Sequence, residues 1–329
     1  MKRCKRRGCR ILNMLEDGQA DSIADAARQL GYNENTSRRY KDIAKDVPRK
    51  RRRAVTLPAT FKKQENIIHL DTTGPEVPEL FQVDLGQALT LSGDWMLVGD
   101  VHVPTTDWAL AMKVADVAEM LGVKSLLICG DLLNQDAMSF HPRTSKPIDW
   151  TDELTATRLL LNRWLEWFSQ IVWLAGNHET RLIRWSGGIM GMEELRNNLV
   201  WDKPVRVSRF QYCIIKTPTG DWRISHPKSF SRIPLRVANT LALQEGQHVV
   251  TFHEHHLGKS VAGNGVHIIA NAGGLFAADK MDYVALADST APKMVRGFAS
   301  LVGGYLEVYG EEPYTNWQKL LNGKLAQAA

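Results

Sequence analysis

The sequence predicts an α/β fold preceded by a small all-α, helix-turn-helix-like segment. Three observations predict it. From Trp95 onward, apolar runs of strand length alternate with stretches of helical periodicity, which implies a parallel core sheet with helices outside it. Near the start, short helical patterns hinge on Gly31. Charge also divides between the two parts. Residues 1–63 hold 18 Lys and Arg against 7 Asp and Glu, a balance of +11, whereas the other 266 residues hold 23 against 29, a balance of −6. The net charge of +5 averages two different objects. At 329 residues the chain is long enough for about two domains. Its 44% hydrophobic and 23% charged content excludes a disordered chain, a collagen or a small disulfide scaffold. The expected division is 1–50 basic domain, 51–93 linker, 94–329 catalytic-type body.

In the first part, Ile11, Leu12, Met14 and Leu15 form the apolar side of a first helix. Ile23, Ala26, Ala27 and Leu30 follow at helical spacing, and Gly31 ends that helix in the way a C′ glycine does. Thr36–Ile43 opens with a capping residue and reads as a third helix carrying Arg38, Arg39 and Lys41. Short helices hinged at a glycine, the second studded with cations, resemble a helix-turn-helix unit. On that reading Arg38, Arg39 and Lys41 face a DNA groove, and Arg49, Lys50, Arg51, Arg52 and Arg53 contact phosphates without sequence preference. The same segment also fits a solvated helical extension that serves oligomerisation.

Pro48, Pro58, Pro75 and Pro78 punctuate the transition, with an isolated strand-like run at Asn66–Leu70. Helical stretches are expected near Asp107–Leu121 and Asp152–Ser169, and a last strand-like stretch at Ala299–Tyr309. Trp164 and Trp167, at helical spacing, read as core packing. Cys129 and Cys213 read as buried apolar residues, and Cys4 and Cys9 lack partners for a tetrahedral zinc site. Free thiols point to a reducing compartment. No run reaches the ~20 apolar residues of a membrane helix, so a cytoplasmic protein with no membrane partner is expected.

The chemistry sits where the strand-like runs end. Met96–Gly99 leads into Asp100-Val101-His102, Leu126–Cys129 into Gly130-Asp131-Leu132-Leu133-Asn134, and Ile171–Ala175 into Gly176-Asn177-His178-Glu179. Arg223–Ser225 leads to His226, and Val249–Phe252 to His253-Glu254-His255. Sites in α/β sheets gather outside the carboxyl ends of strands. On a regular strand, residues i and i+2 point to one side, so Asp100 with His102, and His253 with His255, can each serve one ion. Carboxylate and imidazole ligands suit Mn, Fe or Zn rather than Ca or Mg. The ligands are too many for one ion, and a two-metal site suits phosphoryl chemistry.

This ordered set resembles the calcineurin-like metallophosphoesterase superfamily over roughly residues 94–275. The resemblance implies a β-sandwich flanked by helices and two divalent metal ions, with Mn2+ favoured over Fe or Zn. It also implies roles. Asp100, His102 and His255 would hold the first metal, Asn177, His226 and His253 the second, and Asp131 would bridge them. His178 would contact the phosphate and assist the leaving group, while a metal-bridging hydroxide attacks phosphorus in line. The family's usual glycine before His-x-His is Phe252 here, and His256 offers an alternative register. Asn134 replaces the aspartate with which phosphoprotein phosphatases orient the histidine, and no Arg follows it, which argues against that activity. His141, Arg143 and Arg181 are candidate substrate contacts; His69, His248 and His267 read as ordinary strand residues.

The +11 segment and two short motifs resembling the double-strand-break-repair nuclease branch favour a DNA-directed phosphodiesterase, with DNA as partner. Two alternatives stand beside it: a phosphatase or phosphodiesterase for small molecules or proteins whose basic arm only localises it, and a non-catalytic DNA-binding regulator. There is no Walker-type phosphate loop and no His-Glu-x-x-His, which excludes those NTPase and zincin classes.

Overall fold

The computed structural model describes residues 86–139, 146–281 and 294–321, together with Ala26 and Gln29. Apart from those two, all belong to the second of two units, Met1–Gln82 and Val83–Ala329. The helix-turn-helix reading, Arg38, Arg39, Lys41, Arg49, Lys50, Arg51, Arg52 and Arg53 lie outside the described residues, as do Cys4, Cys9, His69, the Asn66–Leu70 run, His141 and Arg143.

The second unit is built on two six-stranded sheets. One has the order β12-β11-β2-β3-β4-β5 and the other β1-β6-β7-β8-β10-β9, in which β1 is Thr90–Ser92, β6 Tyr212–Thr217 and β9 Leu257–Val261. In the first sheet β2 (Trp95–Val98), β3 (Ser125–Cys129), β4 (Gln170–Leu174) and β5 (Val205–Ser208) run parallel. Helices α1 (Trp108–Leu121) and α2 (Trp150–Leu165) supply the β2–β3 and β3–β4 crossovers. In the second sheet β7 (Gly220–Ser225) pairs parallel with β8 (His248–Thr251), and β8 with β10 (Ile268–Ala272). Thus β2, β3, β4, β7 and β8 are the strands that carry the polar clusters. The sheet is mixed rather than wholly parallel, because β11 (Gly297–Val302) and β12 (Tyr305–Gly310) add an antiparallel hairpin beside β2.

Alternation along the strands builds two cores. Met96, Val98, Leu126, Ile128, Ile171 and Trp173 face α1, α2 and α4 (Met192–Val200; α3 is Glu179–Trp185), whereas Leu97, Leu127, Cys129, Val172 and Leu174 face the other sheet. Both faces are covered, which is why these runs read as continuously apolar instead of alternating. Across the inter-sheet layer stand Cys213, Trp222, Ile224, Val250 and Ala270. A smaller cluster of Ala238, Ala242, Val249 and Ile269 seats α5 (Arg236–Glu245) on the outside of the second sheet. The result is a helix-flanked sandwich.

The local boundaries follow capping chemistry. Asp107 caps α1, accepting from the Leu110 N–H at 3.0 Å, and Gly122 ends the helix in the left-handed region. Asp149 caps α2 by accepting from the Thr151 N–H, so the helix starts two residues before the expected Asp152. It stops at Leu165 rather than Ser169, because the Trp167 and Phe168 N–H groups both turn back to the Trp164 carbonyl. Trp164 is fully buried and donates its indole N–H to the Ala111 carbonyl, and Trp167 packs at the edge of the same core. The stretch Ala299–Tyr309 is two strands and not one. Gly303 and Gly304, with φ of 57° and 87°, form the two-residue turn between them. Of the three histidines expected in strands, His69 lies outside the described residues, His248 begins β8, and His267 lies in the turn before β10. Cys129 and Cys213 are buried free thiols, with burial raising their pKa values.

Phe252, where the family usually has glycine, is accommodated from across the sandwich. A Cβ on Gly99 would stand 2.6 Å from the Phe252 ring, so the missing side chain at 99 makes room for the aromatic at 252. Truncating that buried ring leaves a cavity. Phe252→Ala is expected to lower unfolding free energy by about 3–5 kcal/mol, and Gly99→Ala alone to destabilise by overpacking. The pair together should cost less than the sum of the two, as urea unfolding of the four proteins would measure.

Candidate metal centre

The carboxyl ends of β2, β3 and β4 from one sheet, and of β7 and β8 from the other, meet at one edge of the sandwich. The ligand candidates do not lie on the strands themselves. β2 ends at Val98 and β8 at Thr251, and Asp100, His102, Asp131, His253 and His255 follow in left-handed backbone with φ between 46° and 77°. Among the described residues only two other non-glycine residues, Gln135 and Leu235, have positive φ. Strand alternation therefore does not bring Asp100 beside His102, nor His253 beside His255. Kinked backbone beyond each strand, at a strain of about 1–3 kcal/mol per residue, turns both side chains inward.

The inward groups form overlapping clusters. Asp100, His102 and His255 bring ligand atoms within 4.8 Å of one another, as do Asp100, Asp131, His226 and His253, and also His102, Asp131 and His178. The Asp100 carboxylate accepts from the His253 backbone N–H at 2.7 Å, and its other oxygen lies 3.0 Å from His255 Nε2. Asp131 gives Oδ1 to the His178 backbone N–H, leaving Oδ2 between His226 Nε2 at 3.4 Å and His178 Nε2 at 3.7 Å. Asn177 Oδ1 stands 2.9 Å from His226 Nε2. His226 Nδ1 is held 3.0 Å from the Cys129 carbonyl, which keeps its Nε2 toward the cluster. His256 belongs to none of these groups; its backbone carbonyl accepts from the Gly273 N–H.

The donor set fits divalent cations. His102 is 1% exposed, and both of its ring nitrogens lack a hydrogen-bond partner. An imidazole so buried without a hydrogen bond, its Nε2 3.7 Å from Asp100 Oδ1, is costly, and a metal–nitrogen bond would satisfy one of its nitrogens. Burial opposes charge on His226, yet the carboxylates of Asp131 and Asp100 outweigh it and push its pKa up to about 10. The same acceptors that hold a proton there would hold a divalent cation. Burial likewise opposes ionisation of Asp100 and Asp131, but the surrounding histidines hold both carboxyls well below the usual range.

A family model described as calcineurin-like phosphoesterase matches residues 96–287. The chain belongs to that family. It carries the phosphoesterase fold with a candidate divalent-metal site, the equipment of a metal-dependent phosphoester hydrolase. Several solved structures are similar. An archaeal phosphodiesterase shares 11% identity at a TM-score of 0.37, over 66% of this chain and 99% of that one. A predicted phosphoesterase from Streptococcus pneumoniae shares 12% at 0.30, over 66% and 88%. Zinc-complexed Vps29 from Entamoeba histolytica shares 15% at 0.34, over 66% and 97%. No curated protein matches the sequence. Among the described residues of this phosphoesterase, no helix is long and apolar enough to cross a membrane.

Three features of the phosphoesterase centre were not singled out from sequence. Glu179 is fully buried, and its two oxygens accept from the backbone N–H groups of Asp131, Leu132, Leu133 and Gly176. It ties the ends of β3 and β4 together, and its place after Asn177-His178 was the available signal. Gly130 permits that approach: at φ 78°, a Cβ there would stand 2.7 Å from both the Gly176 Cα and His226 Nδ1. The third is the loop after Asn134. Gln135 accepts from the Leu182 N–H through its side chain, and its own N–H donates to Glu153 on α2 at 2.6 Å.

That loop explains how a chain with Asn134 still orients His178. The Asn134 backbone carbonyl, not its amide, stands 2.6 Å from His178 Nδ1. The same carbonyl accepts from Arg181 Nη1 at 2.9 Å, while Arg181 Nη2 lies 2.8 Å from His178 Nε2. Arg181 therefore touches the histidine itself. Burial, with His102 and Arg181 adding to it against Asp131, holds the His178 pKa well below the usual histidine value.

Two outcomes follow from this centre. Mn2+ at about a hundredfold above its dissociation constant should raise unfolding free energy by ~2.7 kcal/mol. Thermal melting with Mn2+ against EDTA reads that gain, and His102→Ala should abolish most of it. Glu153 provides the pH test, since burial pushes its carboxyl up to about 8. Its folded pKa exceeds its unfolded one, so the stability it contributes is full below about 4.5 and is lost as pH rises through about 8. Urea unfolding between about pH 4.5 and 9 should show the wild type losing roughly 2–5 kcal/mol through this group. Glu153→Gln, which cannot ionise, should flatten that decline.

Proposed function

We propose that this phosphoesterase is a phosphodiesterase that uses two divalent metal ions, Mn2+ favoured, to hydrolyse DNA. The observation that supports this reading is the charge split: a +11 segment, which can hold a polyanion, on the same chain as a metal-ligating acidic body. Bound divalent cations would supply a nucleophile ionised at neutral pH and neutralise charge on the phosphoryl oxygens. Asp100, His102 and His255 would hold one, Asn177, His226 and His253 the other, with Asp131 between them.

The chain's own groups do the rest. The Asn134 carbonyl can only accept, so His178 Nδ1 carries the hydrogen, and the Arg181 guanidinium can only donate, so Nε2 is the acceptor. His178 thus starts neutral. A phosphodiester anion entering beside it offers the guanidinium a bidentate partner. As Arg181 turns to the ester, His178 Nε2 is freed to accept the proton lost by the water that becomes the nucleophile, and to pass it to the departing alkoxide. The Asn134 carbonyl keeps the ring aligned throughout. In the basic segment Arg38, Arg39 and Lys41 would face a DNA groove, and Arg49, Lys50, Arg51, Arg52 and Arg53 would contact phosphates without sequence preference.

The experiment is cleavage of single- and double-stranded DNA by Mn2+-loaded protein. Activity should vanish with EDTA and fall about 10²–10⁴-fold in His178→Ala. Replacing Arg49, Lys50, Arg51, Arg52 and Arg53 by serine should weaken DNA affinity and flatten its salt dependence. Cleavage by His178→Ala at the wild-type rate would sink the reading.

A further inference from the structure

At the mouth of the metal centre, the segment between β7 and α5 carries an unassigned pattern. After His226 the chain runs Pro227-Lys228-Ser229-Phe230-Ser231-Arg232-Ile233-Pro234-Leu235-Arg236. Lys228, Arg232 and Arg236 are exposed, and among the described residues no carboxylate forms an ion pair with any of them. Phe230 is 58% exposed, an unusual place for a phenyl ring, and its centroid lies 6.4 Å from that of His253, edge to face.

The segment is held in register with the ligands. Glu254, between His253 and His255, accepts from the Ser231 N–H at 3.2 Å through one oxygen and from the Asn271 amide at 3.0 Å through the other. Asn271 in turn accepts from the Leu235 N–H at 2.5 Å. Leu235 sits in left-handed backbone, with φ of 64°. One carboxylate and one amide therefore fix both ends of the exposed stretch against the His-x-His turn. An exposed aromatic beside His253, with cations spaced along the same strap, has the composition of a single-strand binding surface. Aromatic faces stack on unpaired bases, and the cations follow the backbone phosphates.

We infer that Lys228, Phe230, Arg232 and Arg236 form a subsite for single-stranded DNA at the rim of the metal centre. Phe230 stacks on an unpaired base, which places the adjoining phosphodiester toward His253. In a duplex each base is already stacked and paired, so the ring has no face to meet. This inference rests on the DNA-directed reading above and narrows its substrate to strands that are single at the point of attack.

The test uses the full chain and an oligothymidylate of about 20 nucleotides carrying 5-iododeoxyuridine, free or annealed to oligodeoxyadenylate, in EDTA so that nothing is cut. Photocrosslinking of the free strand should fall on the tryptic peptide Ser229–Arg232, and the duplex should not crosslink there. By fluorescence anisotropy, Phe230→Ala and Phe230→Leu should each weaken single-strand binding about tenfold, and Phe230→Trp should restore it. The triple change Lys228→Ala, Arg232→Ala, Arg236→Ala should reduce the slope of log affinity against log salt by about two. Thermal melting of each variant with EDTA reports folding. No crosslink in Ser229–Arg232, wild-type affinity in folded Phe230→Leu, or equal crosslinking of the duplex would overturn the inference. Cleavage is scored separately: a wild type that crosslinks at Phe230 but cuts no DNA retains the subsite and loses the nuclease reading.

Discussion

The buried carboxylate of Glu179 gathers four backbone N–H groups from two different strand ends, and the centre is organised around that convergence. Three of those donors follow β3 and one follows β4. Hydrogen bonds to a charged acceptor are stronger than neutral ones, and burial with no bulk water competing makes them stronger still. Burial and the nearby Asp131 push the Glu179 pKa up to about 7, while the backbone donors pull against that rise. Through this grip Asp131 reaches the His178 N–H. One acidic side chain thus places Asp131 and His178 in a single frame.

That frame has to hold unfavourable backbone. Five candidate ligands sit at positive φ, and at about 1–3 kcal/mol each their combined strain rivals the net stability of an ordinary domain. Such geometry persists only where the surroundings over-determine it. The inter-sheet core supplies that from below, with Leu97, Cys129 and Leu174 beneath the strand ends. Side chains bound to the peptide groups supply it from above. Phe252 illustrates the coupling, because the ring that departs from the family pattern is matched by the bare backbone at Gly99 on the opposite sheet.

Charge is distributed to fit the proposed chemistry. The aspartates lie innermost, ringed by histidines whose mutual ring distances include 4.5 Å for His102–His178 and 4.9 Å for His226–His253. Cations stand farther out, at Arg181 and along the strap from Lys228 to Arg236. An anionic ester approaching from solvent would meet positive charge first and carboxylates last, and those carboxylates would be neutralised by the ions they bind.

Much of this was legible from one-dimensional pattern. The continuous apolar runs reveal strands buried on both faces, and the polar residues closing each run mark the ligand candidates, because strand ends are where a sheet leaves side chains free to meet. Apolar content alone reads Ala299–Tyr309 as one strand, although Gly303-Gly304 within it is a hairpin signal; that His267 sits in a turn leaves no mark on local hydrophobicity. The route by which ligands converge was also hidden. Left-handed backbone at Asp100 or His255 has no compositional mark comparable to glycine, so period-two spacing predicts a geometry for these candidates that the chain does not adopt. Asn134 shows the limit most clearly. Its side chain is what a sequence displays, yet its carbonyl is what aligns His178, and every residue type has that atom. Sequence alone determined which functional groups are present and in what order. Only tertiary structure decided which atoms meet, because contacts between peptide groups and distant side chains, such as Glu179 with β3 or Glu254 with the Phe230 strap, depend on chain path and not on residue identity.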